Sequence, residues 1–237
     1  RLCRNGHCAN AKRQRVIWHS ELFLNQNFWI SSLISVFLKK TYNMKNNSEI
    51  MSEARAALNG KWRFAIGTFF VMTLILIGAS LIPIAGAILS LLITGPLVVG
   101  AAFVGLKIYK NEAAETNDLF FAFKHSFTNS VLAYLLMAVF ILLRFLLLIV
   151  PGIIAALAYS QTYFILAENP SMDAYDAILK SKKMMMGYKW QYFKVGVRLF
   201  GLGILCLFTL GIGFLWLAPY QYVVYAKFYE ELKSVNA

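Results

Sequence analysis

The sequence predicts an all-α, polytopic membrane protein, and three observations carry that prediction. Residues 64–106 contain no Asp, Glu, Lys or Arg, residues 125–167 contain only Arg144, and residues 199–226 again contain none. A bilayer core needs about 20 apolar residues per helical crossing, whereas a water-soluble core has no use for 43 consecutive uncharged residues. Composition agrees: 59% of residues are hydrophobic, 14% are charged, and the mean hydropathy is +0.60. Charge has been swept out of the long segments into the short ones between them.

Six crossings are expected, with five as the alternative. Phe64–Leu81 and Ala85–Leu106 form the first pair, joined at Ile82-Pro83-Ile84. Val131–Val150 and Ile153–Ala167 form the second, joined by a tight turn at Pro151-Gly152. Residues 195–229 would measure roughly 52 Å as one helix, against a hydrocarbon core of about 30 Å. Gly211-Ile212-Gly213 divides them into spans at 195–210 and 214–229, with Lys194, Arg198 and Lys227 expected to snorkel to the interface.

The net charge of +12 divides evenly, +6 in residues 1–43 and +6 in residues 44–237. In the second part the cations border apolar spans, from Lys61 and Arg63 through Lys107, Lys124 and Lys180 to Lys233, and the loops at Pro83, Pro151 and Gly211 carry none. Charge bias of this kind orients helices, so both termini are expected in the cytoplasm and nucleic acid is not an expected partner. Residues 1–43 lack helical or strand periodicity, and the apolar run at 28–38 is too short to cross a bilayer. They read as a disordered or non-native extension ahead of a single integral-membrane domain over 44–237, with a basic arm on anionic lipid as the functional alternative.

Two short amphipathic helices are expected at the interface. Ser171–Met186 has Ser171 as N-cap, Asp173 and Asp176 early, Lys180, Lys182 and Lys183 late, and Gly187 at the left-handed position beyond its end. Tyr175, Ile178, Leu179, Met185 and Met186 give it an apolar side. Over Asn117–Phe127, Phe120, Phe123 and Phe127 recur on one face. An internal repeat is also visible. Gly60-Lys61-Trp62 introduces the first span and Gly187-Tyr188-Lys189-Trp190 the fifth, and each pair then carries a proline in its second span, Pro96 and Pro219. The tryptophans suit interfacial anchoring.

The strings DLFFAF (118–123), AILKS through MMGYKW (177–190) and LGIGFLWLAPY (210–220), followed by AKFYEEL (226–232), resemble the bacterial integral-membrane family known as domain of unknown function 975. The similarity runs from Met44 to Leu232. It implies a multi-pass protein of a bacterial cytoplasmic membrane and brings no substrate, cofactor or catalytic residue.

Chemistry leaves little trace. HExxH, GxSxG, Walker and kinase signatures are absent from the sequence. His7, His19 and His125 do not make a ligand set, and Cys3, Cys8 and Cys206 have no CxxC spacing. No enzyme, cofactor or metal site is expected. Polar residues inside the spans remain: Arg144, Tyr159, Gln161 and Gln221 form a candidate intramembrane site, and Pro96 and Pro219 are candidate kinks. Arg144 fits two roles, one reaching outward to phosphates and one lining a cavity, because an intramembrane charge costs at least about 2.5–3.5 kcal/mol and needs a reason. Proline-interrupted spans at matching places in two halves point to a midplane site. Two functional classes follow. One is a non-catalytic interaction, scaffold or envelope-associated protein, with a membrane-protein partner or a second copy. The alternative is a small transporter or lipid-binding protein using the polar site.

Overall fold

A computed structural model of the chain describes residues 44–80, 85–147, 149–209 and 211–236. The expectation for residues 1–43 lies outside them. Elements follow in the order α1 (Asn47–Ala57), α2 (Trp62–Ser80), α3 (Ala85–Tyr109), a 3-10 turn (Thr116–Phe120), α4 (Phe121–His125), α5 (Phe127–Leu147), α6 (Ile149–Tyr159), α7 (Thr162–Glu168), α8 (Ala174–Met184), α9 (Lys189–Phe208) and α10 (Phe214–Asn236).

Five segments are long and apolar enough to cross a membrane: Trp62–Ala79, Leu89–Tyr109, Phe127–Leu146, Val150–Glu168 and Lys189–Phe208. The fold is therefore an all-α multi-pass bundle. The helix expected as the sixth crossing, α10, is long but is not among these five: Tyr220-Gln221-Tyr222 interrupt its apolar run and its second half carries Lys227, Glu230, Glu231 and Lys233. Lys45 pairs with Glu231 at 3.7 Å, so the first and last described segments meet at one end of the bundle.

The repeat is threefold in the structure. Each of three short leading segments, α1, the 3-10 turn with α4, and α8, introduces a hairpin of two long rods: α2–α3, α5 with α6–α7, and α9–α10. Gly60 (φ +78°) and Gly187 (φ +89°) sit at matching junctions before α2 and α9, where a side chain would be strained. The middle unit has no such glycine; Ser126 breaks the chain there at φ −149°, ψ 34°. Within each hairpin the second rod is the inner one. In the α3 and α6–α7 spans 56% of residues are buried, against 28% in α2 and 22% in α5 and α9. Along α10, Val223, Val224, Ala226, Phe228 and Leu232 are fully buried.

Glycine spacing makes α3 the hub. Gly95, Gly100 and Gly105 are five residues apart, so each is rotated roughly 140° from the last and they face three directions. A Cβ on Gly95 would lie 2.7 Å from the Ser130 carbonyl oxygen on α5. On Gly100 it would lie 1.9 Å from the Leu119 carbonyl oxygen of the 3-10 turn, and on Gly105 3.1 Å from that of Tyr222 on α10. Three backbones close on one helix because three side chains are missing. Both α3 and α10 run on through their prolines, Pro96 and Pro219.

Several expectations are corrected. Pro151-Gly152 is no turn; both residues lie in the first turn of α6, where proline's missing N–H costs no helical hydrogen bond. Gly152 instead admits the Phe145 ring, which a Cβ would meet at 2.6 Å. The connection passes through residue 148, outside the described residues. The span at 153–167 is interrupted at Ser160–Gln161, between α6 and α7. The N-cap of α8 is Asp173, extended at φ −62°, ψ 144°, and Ser171 lies ahead of it. Phe120–Phe127 is a 3-10 turn and a short helix, although the rings still form a ladder with centroids 6.0 Å apart at each step. Lys227 does not snorkel: its side chain is buried and paired with Glu53 at 2.7 Å and Glu231 at 2.6 Å.

Candidate functional site

Two charged regions differ in kind. The first lies where the C-terminal ends of α3, α7 and α10 meet. Lys110 pairs with Glu230 (3.0 Å) and Glu168 (3.6 Å), and Glu168 also takes Lys233 and the Tyr229 hydroxyl (2.9 Å). Lys227 adds the Tyr109 hydroxyl at 2.7 Å to its two carboxylates, and Lys45 closes the ring onto Glu53 at 2.7 Å. Each of these cations has a carboxylate. Burial pushes the Lys110 ammonium down, but Glu230 and Glu168 more than reverse it and hold it above the usual lysine range. This region locks the inner rods together.

The second region is built on the break between α6 and α7. The break frees backbone groups that a membrane interior leaves without water, so something must satisfy them. Ser181 of α8 does so: its hydroxyl donates to the Ala158 carbonyl (2.9 Å) and accepts the Gln161 N–H (3.2 Å). Ser160 donates to the Leu157 carbonyl and Thr162 to that of Tyr159. The Gln161 side chain is fully buried, its amide donates to Ser160 at 3.1 Å, and its Oε1 has no partner among the described residues. Thus α8 is more than an interfacial helix. Ala174, Ala177, Ile178, Ser181 and Met184 turn into the bundle, leaving Tyr175 and Leu179 exposed.

Three cations gather around this break. Arg144 donates from Nη1 to the Tyr159 hydroxyl, its guanidinium 5.5 Å from that ring's centre. Helical side chains lean toward the N-terminus, which explains how a residue near the far end of α5 reaches back to Tyr159. Burial holds the Lys182 ammonium below the usual lysine range, and the neighbouring Arg144 lowers it further. Lys189 is 8% exposed and is repelled by both Lys182 and Arg144. Among the described residues no carboxylate pairs with any of the three. The hydrogen-bond partner of Arg144, the Tyr159 hydroxyl, is neutral.

A cleft of about 220 Å³ adjoins the group between α5 and α6–α7. Its walls include Tyr134, Met137 and Ile141, with Tyr159, Ser160 and Tyr163 opposite. Met137, Ile141 and Arg144 follow helical spacing along one face of α5. Tyr159 belongs to both features, walling the cleft with its ring and accepting Arg144 with its hydroxyl. A wider groove of about 650 Å³ lies elsewhere, along α9 and α10, with Arg55 as its cation.

Of the residues singled out in the sequence, Arg144, Tyr159 and Gln161 share this region. Gln221, on α10, joins it at one remove: it donates to Tyr225 one turn away, at 3.4 Å. Tyr225 stacks on and hydrogen-bonds Tyr192, and Tyr192 hydrogen-bonds Ser160 beside Gln161. Sequence reasoning missed Ser181, Lys182 and Lys189. One signal was available, since residues 180–198 hold six Lys and Arg without a single Asp or Glu. Orientation by positive charge explains such a run equally well, and only packing shows which of the six turn inward.

The family described as protein of unknown function (DUF975) matches residues 44–155 and 139–236, and the chain belongs to that family. No curated protein and no solved structure matches it.

Proposed function

We propose that this family member is a non-catalytic binding protein of a bacterial cytoplasmic membrane, with both termini inside the cell, that holds an anionic ligand against Arg144, Lys182 and Lys189. This is the transporter or lipid-site reading, favoured over a pure scaffold by one observation: buried Lys189 and half-buried Arg144 and Lys182 repel one another, and among the described residues no carboxylate pairs with any of them. An uncompensated buried charge costs several kcal/mol, and the paired cations elsewhere in the bundle show that the fold can supply carboxylates where charge is structural. An anion that binds only the folded state would repay the cost and raise stability by mass action. The Lys and Arg that flank the spans, and their absence from the loops at Pro151 and Gly211, support the orientation.

The test is a comparison of melting curves for the purified full chain in mild detergent, with inorganic phosphate, with anionic lipid and with zwitterionic lipid. At least one anionic additive should raise the melting temperature of the wild type and lose most of that effect in Arg144→Leu and Lys182→Met. Equal responses in wild type and both variants to every additive would refute the reading.

A further inference from the structure

We infer that the anion is a lipid of the bilayer itself, which slides its phosphate to Arg144 and lays part of one acyl chain in the cleft between α5 and α6. This identification rests on the anion-binding reading above and adds the ligand class and the route of entry.

The route follows from what surrounds the cleft. On α5 the neighbouring positions Val139, Leu142, Leu143 and Leu146 are exposed and apolar, the surface that acyl chains cover in a membrane. Ala138, in the cleft wall, is itself exposed, so the opening is continuous with that surface. The opposite approach is packed shut. Ile178 of α8 is 1% exposed and seated on Met137, Ala155, Ala158 and Tyr159. A soluble anion would have to pass this apolar seal, whereas a lipid meets the mouth directly.

Size and chemistry select the ligand. A space of 220 Å³ is below the usual range of about 300–1,000 Å³ for sites that enclose a whole ligand. It suits a molecule that inserts one segment and leaves the remainder in the bilayer. Met137, Ile141 and Ala156 give the walls an apolar surface for a chain, and Tyr134 and Tyr163 add phenols that can donate to glycerol ester oxygens. Lipid tails are already in an apolar solvent, so moving one into the cleft gains little hydrophobic free energy. Selectivity therefore comes from headgroup charge: anionic lipids are chosen over zwitterionic ones, and chain length matters little.

The experiment uses the full chain in dodecyl maltoside, titrated with dioleoyl phosphatidylglycerol, dioleoyl phosphatidylcholine, glycerol 3-phosphate or inorganic phosphate, and read by melting temperature and native mass spectrometry. Phosphatidylglycerol should bind the wild type at least about tenfold more tightly than phosphatidylcholine, with the soluble phosphates inert at millimolar concentration. Arg144→Leu should abolish that preference. Ala138→Trp, a change at an exposed wall that leaves every cation in place, should block the cleft and abolish it too. Retained phosphatidylglycerol preference in Ala138→Trp, or an Arg144-dependent response to soluble phosphate equal to that for lipid, would overturn the lipid assignment and leave the anion site standing. Absence of any Arg144-dependent response would overturn both.

Discussion

Lys110 and Lys182 are two partly buried lysines in one bundle, and their surroundings move them in opposite directions. Around Lys110, Glu230 and Glu168 outweigh burial and favour the charge. Around Lys182, burial disfavours the charge and Arg144 adds to it. The difference separates charge that builds the protein from charge that waits for something. In the first region each cation is matched by a carboxylate from another element, so it ties α1, α3, α7 and α10 together. In the second, among the described residues, no carboxylate pairs with Arg144, Lys182 or Lys189, and the neutral Tyr159 hydroxyl on Arg144 is too weak to offset three cations.

The largest expected effect breaks the paired region. Lys227→Met should destabilise the bundle by about 3–5 kcal/mol, because Glu53 and Glu231 lose a shared partner. A denaturation midpoint close to the wild type would show that the network is replaceable by water. Next comes the hub: Gly100→Ala places a methyl inside the Leu119 carbonyl contact and should cost about 1–3 kcal/mol. Gly67→Ala, at a helix position with open space, is the control and should leave the melting temperature nearly unchanged.

At the break, Ser181→Ala strands the Gln161 N–H and should cost about 1–3 kcal/mol, while Ser181→Thr, which keeps the hydroxyl, should cost less. Equal losses in the two variants would mean that packing, not the hydrogen bonds, holds α8 in place.

The smallest effect is in pH. Glu53 is held below the usual carboxylate range by its hydrogen bonds to Lys227 and Lys45. Its contribution is present above the unfolded pKa and is lost as pH falls through the lower folded value, so the paired region weakens in acid. Lys182 has the opposite sign. Its folded pKa lies below the unfolded one, so the folded state binds fewer protons between the two values. Stability then rises as pH climbs through that window toward about 10.5. Lys182→Met should flatten this alkaline rise in delipidated protein, and a rise of undiminished slope would place the titrating group elsewhere.

Much of the fold was legible in the chain. Uncharged runs marked the spans, and Gly60 and Gly187 marked the junctions. Legibility ended wherever a residue's role depended on a distant partner. Lys227 reads as a snorkelling lysine until Glu53, far earlier in the chain, is brought beside it. The α6–α7 break contains neither proline nor glycine, because Ser181 from another helix stabilises it, so local propensity gives no warning. Pro151-Gly152 has the composition of a turn, yet the first turn of a helix accepts proline equally well. The candidate site was half visible: Arg144 stood out as a lone intramembrane charge, whereas Lys182 and Lys189 were hidden among cations whose placement orientation already explained.

The contrast between the two regions is tested most directly by matched neutralisation. Lys110→Met and Lys182→Met are compared in delipidated protein by melting temperature, then again after adding phosphatidylglycerol. Lys110→Met should lower the melting temperature in both conditions. Lys182→Met should raise it without lipid, by relieving repulsion with Arg144 and Lys189, and should forfeit part of the stabilisation that lipid gives the wild type. If both substitutions destabilise alike and lipid raises both variants equally, the second region is ordinary structural charge and holds no anion.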